Sequence, residues 1–424
     1  MNPKSAHLSS VDVVIIGAGA AGLAAARRLK ESSLQFILLE ADNRIGGRAH
    51  SEIMPDGSVF DLGCHWLHSA SINPFVEVAD SLNIRYARPE GYGPAAYFKD
   101  GKFLPDFEVS QGFEQMEVQR QKMLTAWRKG IDRSVLDTVD REHPFTEFSD
   151  YYYALNTSSD IDQTSIGDMV SYNDTGENWP VIDGYGSLVS RWGADVAAHL
   201  NTRVLSISWA GTGVRVETSK GSVSAAQAII TTSTGVLASG AIRFTPELPV
   251  EKLDAIHALP LGNFNRIRLS IDRRHFAHPD FPQRVIVARK DAPPILLSLR
   301  PYESNSVIGL SAGRYADWLE KSGPEAFRQA SLDALCEVFG FEMRKHVGED
   351  RQSAWRGNPF IRGAYSTSQP GQFYQRIKLA EPIDDKLFFC GEATSADAFC
   401  TCHGARLTGE RAAAEVLQTR SLFQ

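Results

Sequence analysis

The sequence predicts an α/β protein: one α/β domain assembled from separated stretches of chain, with an α+β domain formed by the stretches between them. Three observations predict it. Residues 11–16 (VDVVII) are a β-branched run, residues 23–30 are Ala- and Leu-rich and end in basic side chains, and residues 36–40 (FILLE) read as a second strand, so the chain opens on a βαβ unit. Far downstream, short strand patterns alternate between glycine turns at 203–209 (RVLSISW), 213–219 (GVRVETS) and 225–231 (AAQAIIT). Between these two β-rich regions, residues 73–178 are polar, aromatic and helix-like in places, with 113–131 the best helical segment. At 424 residues the chain is also too long for one unit, since domains run roughly 100–200 residues.

The turn of the βαβ unit is Gly17-Ala-Gly19-Ala-Ala-Gly22, between strand and helix. In that context the three glycines suit a tight turn, close approach of backbone to a pyrophosphate, and close helix packing, with the helix dipole facing the anionic oxygens. Glu40, at the end of the second strand, is placed to accept hydrogen bonds from ribose hydroxyls. These features predict a Rossmann-like dinucleotide site and leave FAD and NAD both open.

Composition narrows the field. Forty-four Lys and Arg against 51 Asp and Glu give a net charge of −7, which supplies no footprint for nucleic acid. An odd count of five cysteines, Cys64, Cys336, Cys390, Cys400 and Cys402, fits a reducing compartment better than a disulfide framework, so a cytoplasmic protein is expected. The apolar stretch 13–26 is studded with glycines, and no run approaches the roughly 18 apolar residues of a membrane span. Cys400-Thr-Cys402-His403 has no second ligand pair at zinc-like spacing, and no metal site is expected. The sequence has no internal repeat, heptad run or low-complexity tract, and the oligomeric state is not legible.

Arg44-Ile-Gly-Gly47-Arg48 follows directly on Glu40. Two glycines between arginines resemble the second phosphate-contacting element of glutathione-reductase-like FAD enzymes, in particular the flavin-containing amine oxidases of the monoamine oxidase and polyamine oxidase kind. Further motifs carry the same resemblance. Asp61-Leu-Gly63-Cys-His-Trp-Leu-His68 resembles the polyamine-oxidase stretch with a Trp-Ile-His core, and Asp183-Gly-Tyr-Gly-Ser-Leu188 resembles the glycine motif that returns the chain to the FAD domain. Val204 stands where a backbone contact to adenine is expected. Phe389-Cys-Gly391-Glu392-Ala-Thr394 and Thr401-Cys402-His-Gly-Ala405 resemble the last flavin-binding strand and helix. The resemblance implies FAD held by Gly17, Gly19, Gly22, Glu40, Gly47, Arg48, Gly63, Val204, Gly391, Glu392 and Cys402.

The resemblance also implies the catalytic positions, with two departures. Arg266, in Leu261-Gly-Asn-Phe-Asn-Arg266, stands where most members have a lysine that holds a water near flavin N5. An arginine is a permanently charged planar fork that does not serve as a proton acceptor, so it either faces the active site in another role or turns away into a salt bridge. Of the aromatic pair that flanks the substrate amine in monoamine oxidases, Tyr365 matches the first ring; the second position holds Thr401, with Phe399 a nearby face. Trp355 resembles the tryptophan beside the flavin ring, and His68 the active-site histidine. Ala364 occupies the position of the flavin-linking cysteine, which implies non-covalent FAD.

The implied reaction is oxidation of a neutral amine: hydride from its α-carbon goes to flavin N5, the imine hydrolyses, and O2 or another acceptor reoxidises the flavin, with H2O2 as the product from O2. A desaturase or dehydrogenase acting on a C–C bond, and a non-catalytic FAD-binding protein, remain the alternatives. The expected FAD domain comprises residues 1–75, 185–257 and 358–424; the expected substrate domain comprises 76–184 and 258–357.

Overall fold

A computed structural model describes residues 7–88, 95–278 and 281–421. Strand His7–Ile16, helix Ala20–Lys30 and strand Phe36–Leu39 form the expected βαβ unit. Its strands are apolar on both faces, as strands of a parallel sheet covered on both sides must be. Val13, Ile15 and Leu38 enter a core shared with the helices, while Val14, Ile16 and Leu39 enter a second core on the other face.

Five strands run parallel in the order Ala198–His199, Phe36–Leu39, His7–Ile16, Gly221–Ile230, Leu387–Phe389. On the edge away from His7–Ile16, strand Gly221–Ile230 serves two partners. Its last residues pair with Leu387–Phe389, and its first residues pair antiparallel with Val214–Thr218, which continues to Val204–Ser208 and the edge strand Arg243–Thr245. The three alternating patterns of the sequence are therefore a meander grown on the same sheet.

The last helix, Cys402–Ser421, lies against Ala20–Lys30. A Cβ on Gly409 would sit 2.1 Å from the Ala21 carbonyl oxygen, so its small residues serve a backbone-to-backbone helix crossing. This closes one side of the sheet with two helices whose N-termini both point at the strand ends where the predicted site residues lie.

The second sheet has seven strands in the order Asp350–Gln352, Phe264–Ser270, Ser306–Ala312, Ala292–Leu299, Arg284–Arg289, Ala96–Lys99, Lys102–Phe103. Alternation again feeds two cores. Val285, Val287, Ile295 and Leu297 pack on helix Pro324–Phe339, and Ile286 and Leu296 pack with Phe148 and Tyr151 of helix Thr146–Thr157. The helix predicted at 113–131 runs Asp106–Arg128. It starts earlier because Pro105 and the acidic first turn favour an N-terminus there, and it ends before Gly130, which has φ +71°. Helix Pro324–Phe339 carries Cys336 on its half-buried face rather than in the core.

Among the described residues, no helix is long and apolar enough to cross a membrane. Among the same residues, no group of three or more His, Cys, Asp and Glu side chains is arranged to hold a metal ion.

Candidate active site

One cavity of about 1250 Å³ runs from the ends of the parallel strands to the helices of the second sheet. It exceeds the roughly 300–1,000 Å³ of an ordinary small-molecule site. At one end lie Gly17, Gly19, Glu40, Gly47 and Val204; Arg48, Gly63, Gly391, Glu392 and Cys402 line the middle; His68, Tyr365, Phe399 and Thr401 lie toward the other end.

The glycines at the first end have distinct work. Gly17 has φ +102°, and a Cβ there would meet Thr231 Oγ1 at 2.6 Å. Gly22 lies under the loop: its Cβ would be 1.8 Å from the Gly17 carbonyl oxygen, so it does not line the cavity but lets helix Ala20–Lys30 start against the turn. Gly19 is the residue before that helix, and a Cβ on it would find nothing within 4 Å, because it faces the open cavity. A pyrophosphate fits here, against bare amides at a helix N-terminus. Gly47 comes in from the other side, where its Cβ would be 3.3 Å from the Gly19 Cα. Glu40 accepts from Ala18 N at 2.6 Å and Asp42 N at 2.8 Å. Burial raises its pKa, and those backbone donors hold it back.

Arg48 is not a free phosphate fork. Its Nη1 donates to Glu392 Oε1 at 2.8 Å and to the Ala364 carbonyl at 2.7 Å. Glu392 also accepts from Ser366 N, Ser366 Oγ at 2.7 Å and Cys400 N at 3.0 Å. Burial alone would raise the Glu392 pKa, but the charges of Arg48 and Arg376 bring it below the usual carboxylate value. The network continues inward: Arg376, with no solvent exposure, donates to Ser366 Oγ at 2.7 Å and meets both Asp168 oxygens at 3.0 Å. Its guanidinium also lies 4.2 Å from the Phe399 ring centroid.

At the middle of the cavity, a Cβ on Gly63 would be 1.8 Å from the Arg48 carbonyl oxygen and 3.0 Å from Trp355 Cζ2. The Trp355 indole N–H donates to the Leu62 carbonyl at 3.0 Å, which fixes its ring against this wall. Cys402 opens the last helix here, next to Thr401. The Thr401 hydroxyl is committed to that helix start: it donates to the Ala398 carbonyl and accepts from Gly404 N.

Tyr365 is held at both ends. Its hydroxyl donates to the Leu155 carbonyl at 2.7 Å, and its ring is tilted against Phe264 with centroids 5.9 Å apart. His68 Nδ1–H donates to Asn178 Oδ1 at 2.6 Å, which leaves Nε2 as the unprotonated nitrogen of a neutral ring. Burial lowers the His68 pKa, with partial relief from Asn178. Asn73 joins His68 to the last helix, donating to the His68 carbonyl and to His403 Nδ1 at 3.3 Å.

Arg266 faces the cavity. Strand alternation puts Phe264, Arg266 and Arg268 on one side of strand Phe264–Ser270, while Asn265 turns to Glu320 and Ile267 to the core on the other. Its guanidinium lies 5.6 Å from the Phe60 ring centroid. Beside it, His65 donates through Nδ1 to Asp61 at 2.7 Å and receives the Tyr302 hydroxyl at Nε2, 3.1 Å away.

Sequence reading missed His65, Asn178 and the Arg376–Asp168 pair, and it missed the far wall: Phe113, Met116, Met123, Tyr152, Tyr153, Met169 and Tyr172. The spacing of 113, 116 and 123 on one helical face was visible, but an apolar stripe lining a cavity has the same pattern as one filling a core.

Burial of these histidines makes the fold acid-sensitive. His403 is pushed down to about 4, mainly by burial and then by the charge of His68. Between pH 6.5 and 4 the unfolded chain binds a proton there that the native state does not, so stability falls with pH across this window. At roughly 1.4 kcal/mol per unit the loss from this group reaches about 3 kcal/mol. Urea midpoints should fall from pH 7 to 4.5, and less steeply in His403→Gln; equal slopes would contradict this assignment.

A dinucleotide cradle continuous with an aromatic chamber defines a nucleotide-cofactor oxidoreductase. The profile of the family described as flavin containing amine oxidoreductase matches residues 20–417, and the chain belongs to that family. It is a flavin-containing oxidoreductase. Polyamine oxidase 4 of Oryza sativa subsp. japonica is 27% identical over 98% of this chain and 90% of its own length. Among solved structures, putrescine oxidase bound to putrescine superposes with TM-score 0.80 at 17% identity, over 97% of this chain and 100% of that one. Cyclohexylamine oxidase from Brevibacterium oxydans IH-35A gives TM-score 0.80 at 20% identity, over 97% and 99% of the two chains.

Proposed function

We propose that the enzyme oxidises an amine held, in its neutral form, between Tyr365 and the flavin, and that O2 is the electron acceptor. The observation that carries this reading is the single cavity in which the FAD cradle and the aromatic chamber meet at Tyr365, Trp355 and Arg266. Held at Gly17, Gly19, Glu40, Gly47 and Val204, FAD would supply the acceptor for a hydride from the amine's α-carbon; the imine so formed would hydrolyse, and O2 would take up the two electrons with two protons as H2O2.

The chain supplies position and electrostatics. Tyr365, pinned at its hydroxyl and its ring, orients the amine. The Nε2 of His68 is the neutral acceptor at the chamber wall, suited to take a proton from an arriving ammonium directly or through water. The N-terminus of helix Cys402–Ser421 opens on the cavity, where its positive end would stabilise negative charge on a bound flavin. Phe399, seated on Arg376, and the methyl of Thr401 complete an apolar wall that excludes water. Ala364 offers no thiol, so FAD is held without a covalent bond. The two domains, as divided in the sequence analysis, are part of the proposal; the strands of the two sheets fall within those stretches. So is a cytoplasmic location, which the five free cysteines support.

The relatives' names favour a polyamine as a second reading. The chamber favours an amine with an apolar body, because its inner carboxylates are already engaged: Asp168 by Arg376 and Glu392 by Arg48. Of the other carboxylates among the described lining residues, Glu40 and Asp42 belong to the nucleotide cradle, which leaves Glu117, paired with Arg120, and Asp174. Peroxide release should be measured with putrescine, spermidine and phenylalkyl amines across pH 6–10. The expected result is turnover of the phenylalkyl amines with a rate rising through the amine's own pKa. Turnover confined to putrescine and spermidine would establish the second reading, and no peroxide from any amine would refute O2-linked amine oxidation.

A further inference from the structure

Three arginines of the described chain are deeply buried: Arg266, Arg268 and Arg376. Arg268 has Asp56 at 2.6 Å and Arg376 has Asp168 at 3.0 Å. Arg266, 8% exposed, has no ion pair with any described residue, and its Nε and Nη1 are fully buried without a hydrogen-bond partner. The nearby carboxylate, Asp61, is already taken by His65 Nδ1, Ser51 Oγ and Tyr185 N. A buried guanidinium left this way is costly, and an anion entering the cavity would relieve that cost.

We infer that Arg266 is the specificity residue for a carboxylate on the substrate, so that the enzyme takes an acid-bearing amine with an apolar body, of the kind of an apolar amino acid. The inference rests on the amine-oxidase reading and deepens it. Phe264, against which Tyr365 leans, stands two residues before Arg266 on the same strand face, which separates the two positions by about 7 Å. An amine nitrogen at Tyr365 and a carboxylate at Arg266 are therefore groups a few bonds apart on one small molecule. The apolar remainder would extend along Leu310, Tyr152 and Met116. The same positive charge disfavours a second ammonium at this end of the chamber, which separates this substrate class from a diamine. An arginine also suits a planar carboxylate better than the single point charge of a lysine.

The test uses the FAD-loaded enzyme and unreactive probes. 3-Phenylpropanoate and its amide, which share one shape, are titrated while the flavin absorbance is followed. The carboxylate should bind about 10- to 100-fold more tightly than the amide, the range expected of a charged hydrogen-bonded contact. That preference should shrink in Arg266→Lys and vanish in Arg266→Met. Equal affinities in the wild-type enzyme would overturn the inference without any variant, as would a preference that survives Arg266→Met. Because neither probe is an amine, a failure of amine oxidation itself would appear separately, as a flavin that no amine reduces.

Discussion

Arg376→Met should destabilise the protein by about 3–5 kcal/mol, the cost of leaving one member of a buried ion pair alone. Asp168, with 1% of its side chain exposed, would keep a charge with no cation beside it. The pair joins helix Ile166–Ser171 to helix Gln375–Ala380 and, through Ser366, to Glu392 and Arg48. The loss therefore falls on the joint between the chamber and the cofactor cradle. Phe399 would also lose its cation, a contact worth about 0.5–2 kcal/mol. In urea denaturation the midpoint should drop sharply, and the surviving native enzyme should show a raised KM as the Phe399 wall loosens. The double variant Asp168→Leu/Arg376→Met removes both charges and should recover much of the stability. A loss below about 1 kcal/mol in Arg376→Met would show that the pair is not a structural joint.

Gly22→Val should weaken cofactor binding so far that the protein purifies without it. The added Cβ would stand 1.8 Å from the Gly17 carbonyl oxygen and close to Thr231 Oγ1, both backbone-anchored atoms that cannot give way without moving the turn. Overpacking of this kind costs about 1–3 kcal/mol or more, and here the displaced segment is the one that presents amides to the pyrophosphate. The purified variant should be colourless, with FAD affinity down by about 100-fold. The helix itself should persist, since Val is tolerated in its first turn, so far-ultraviolet dichroism should change little. A yellow Gly22→Val protein with normal FAD content would contradict the geometry assigned to this turn.

These two changes differ in how visible they are from sequence. Gly22 belongs to a motif whose spacing encodes one local turn, so its role is written within six consecutive residues. Arg376 and Asp168 lie 208 residues apart, and nothing near either one signals the other. The same contrast separates Glu40, readable from the end of its strand, from the Arg48–Glu392 contact that crosses 344 residues. Thr401 illustrates a third case: its position in the chamber was legible, but the capping of the last helix by its hydroxyl depends on the turn at Ala398. His65 had a local sign, Asp61 four residues earlier, which acquires meaning only when Tyr302 arrives from the second sheet. For Arg266, sequence left two orientations open. The alternation of its strand decides between them, because Ile267 and Asn265 claim the face turned away from the cavity.

The most direct test of the central claim is the visible spectrum of the purified enzyme, recorded without oxygen before and after addition of single amines. The account predicts an oxidised-flavin spectrum that bleaches with an apolar amine, and bleaches fastest with one that carries a carboxylate near its amine-bearing carbon. A flavin spectrum unmoved by every amine would contradict it and would direct attention to oxidation of carbon–carbon bonds or to a non-catalytic role for FAD.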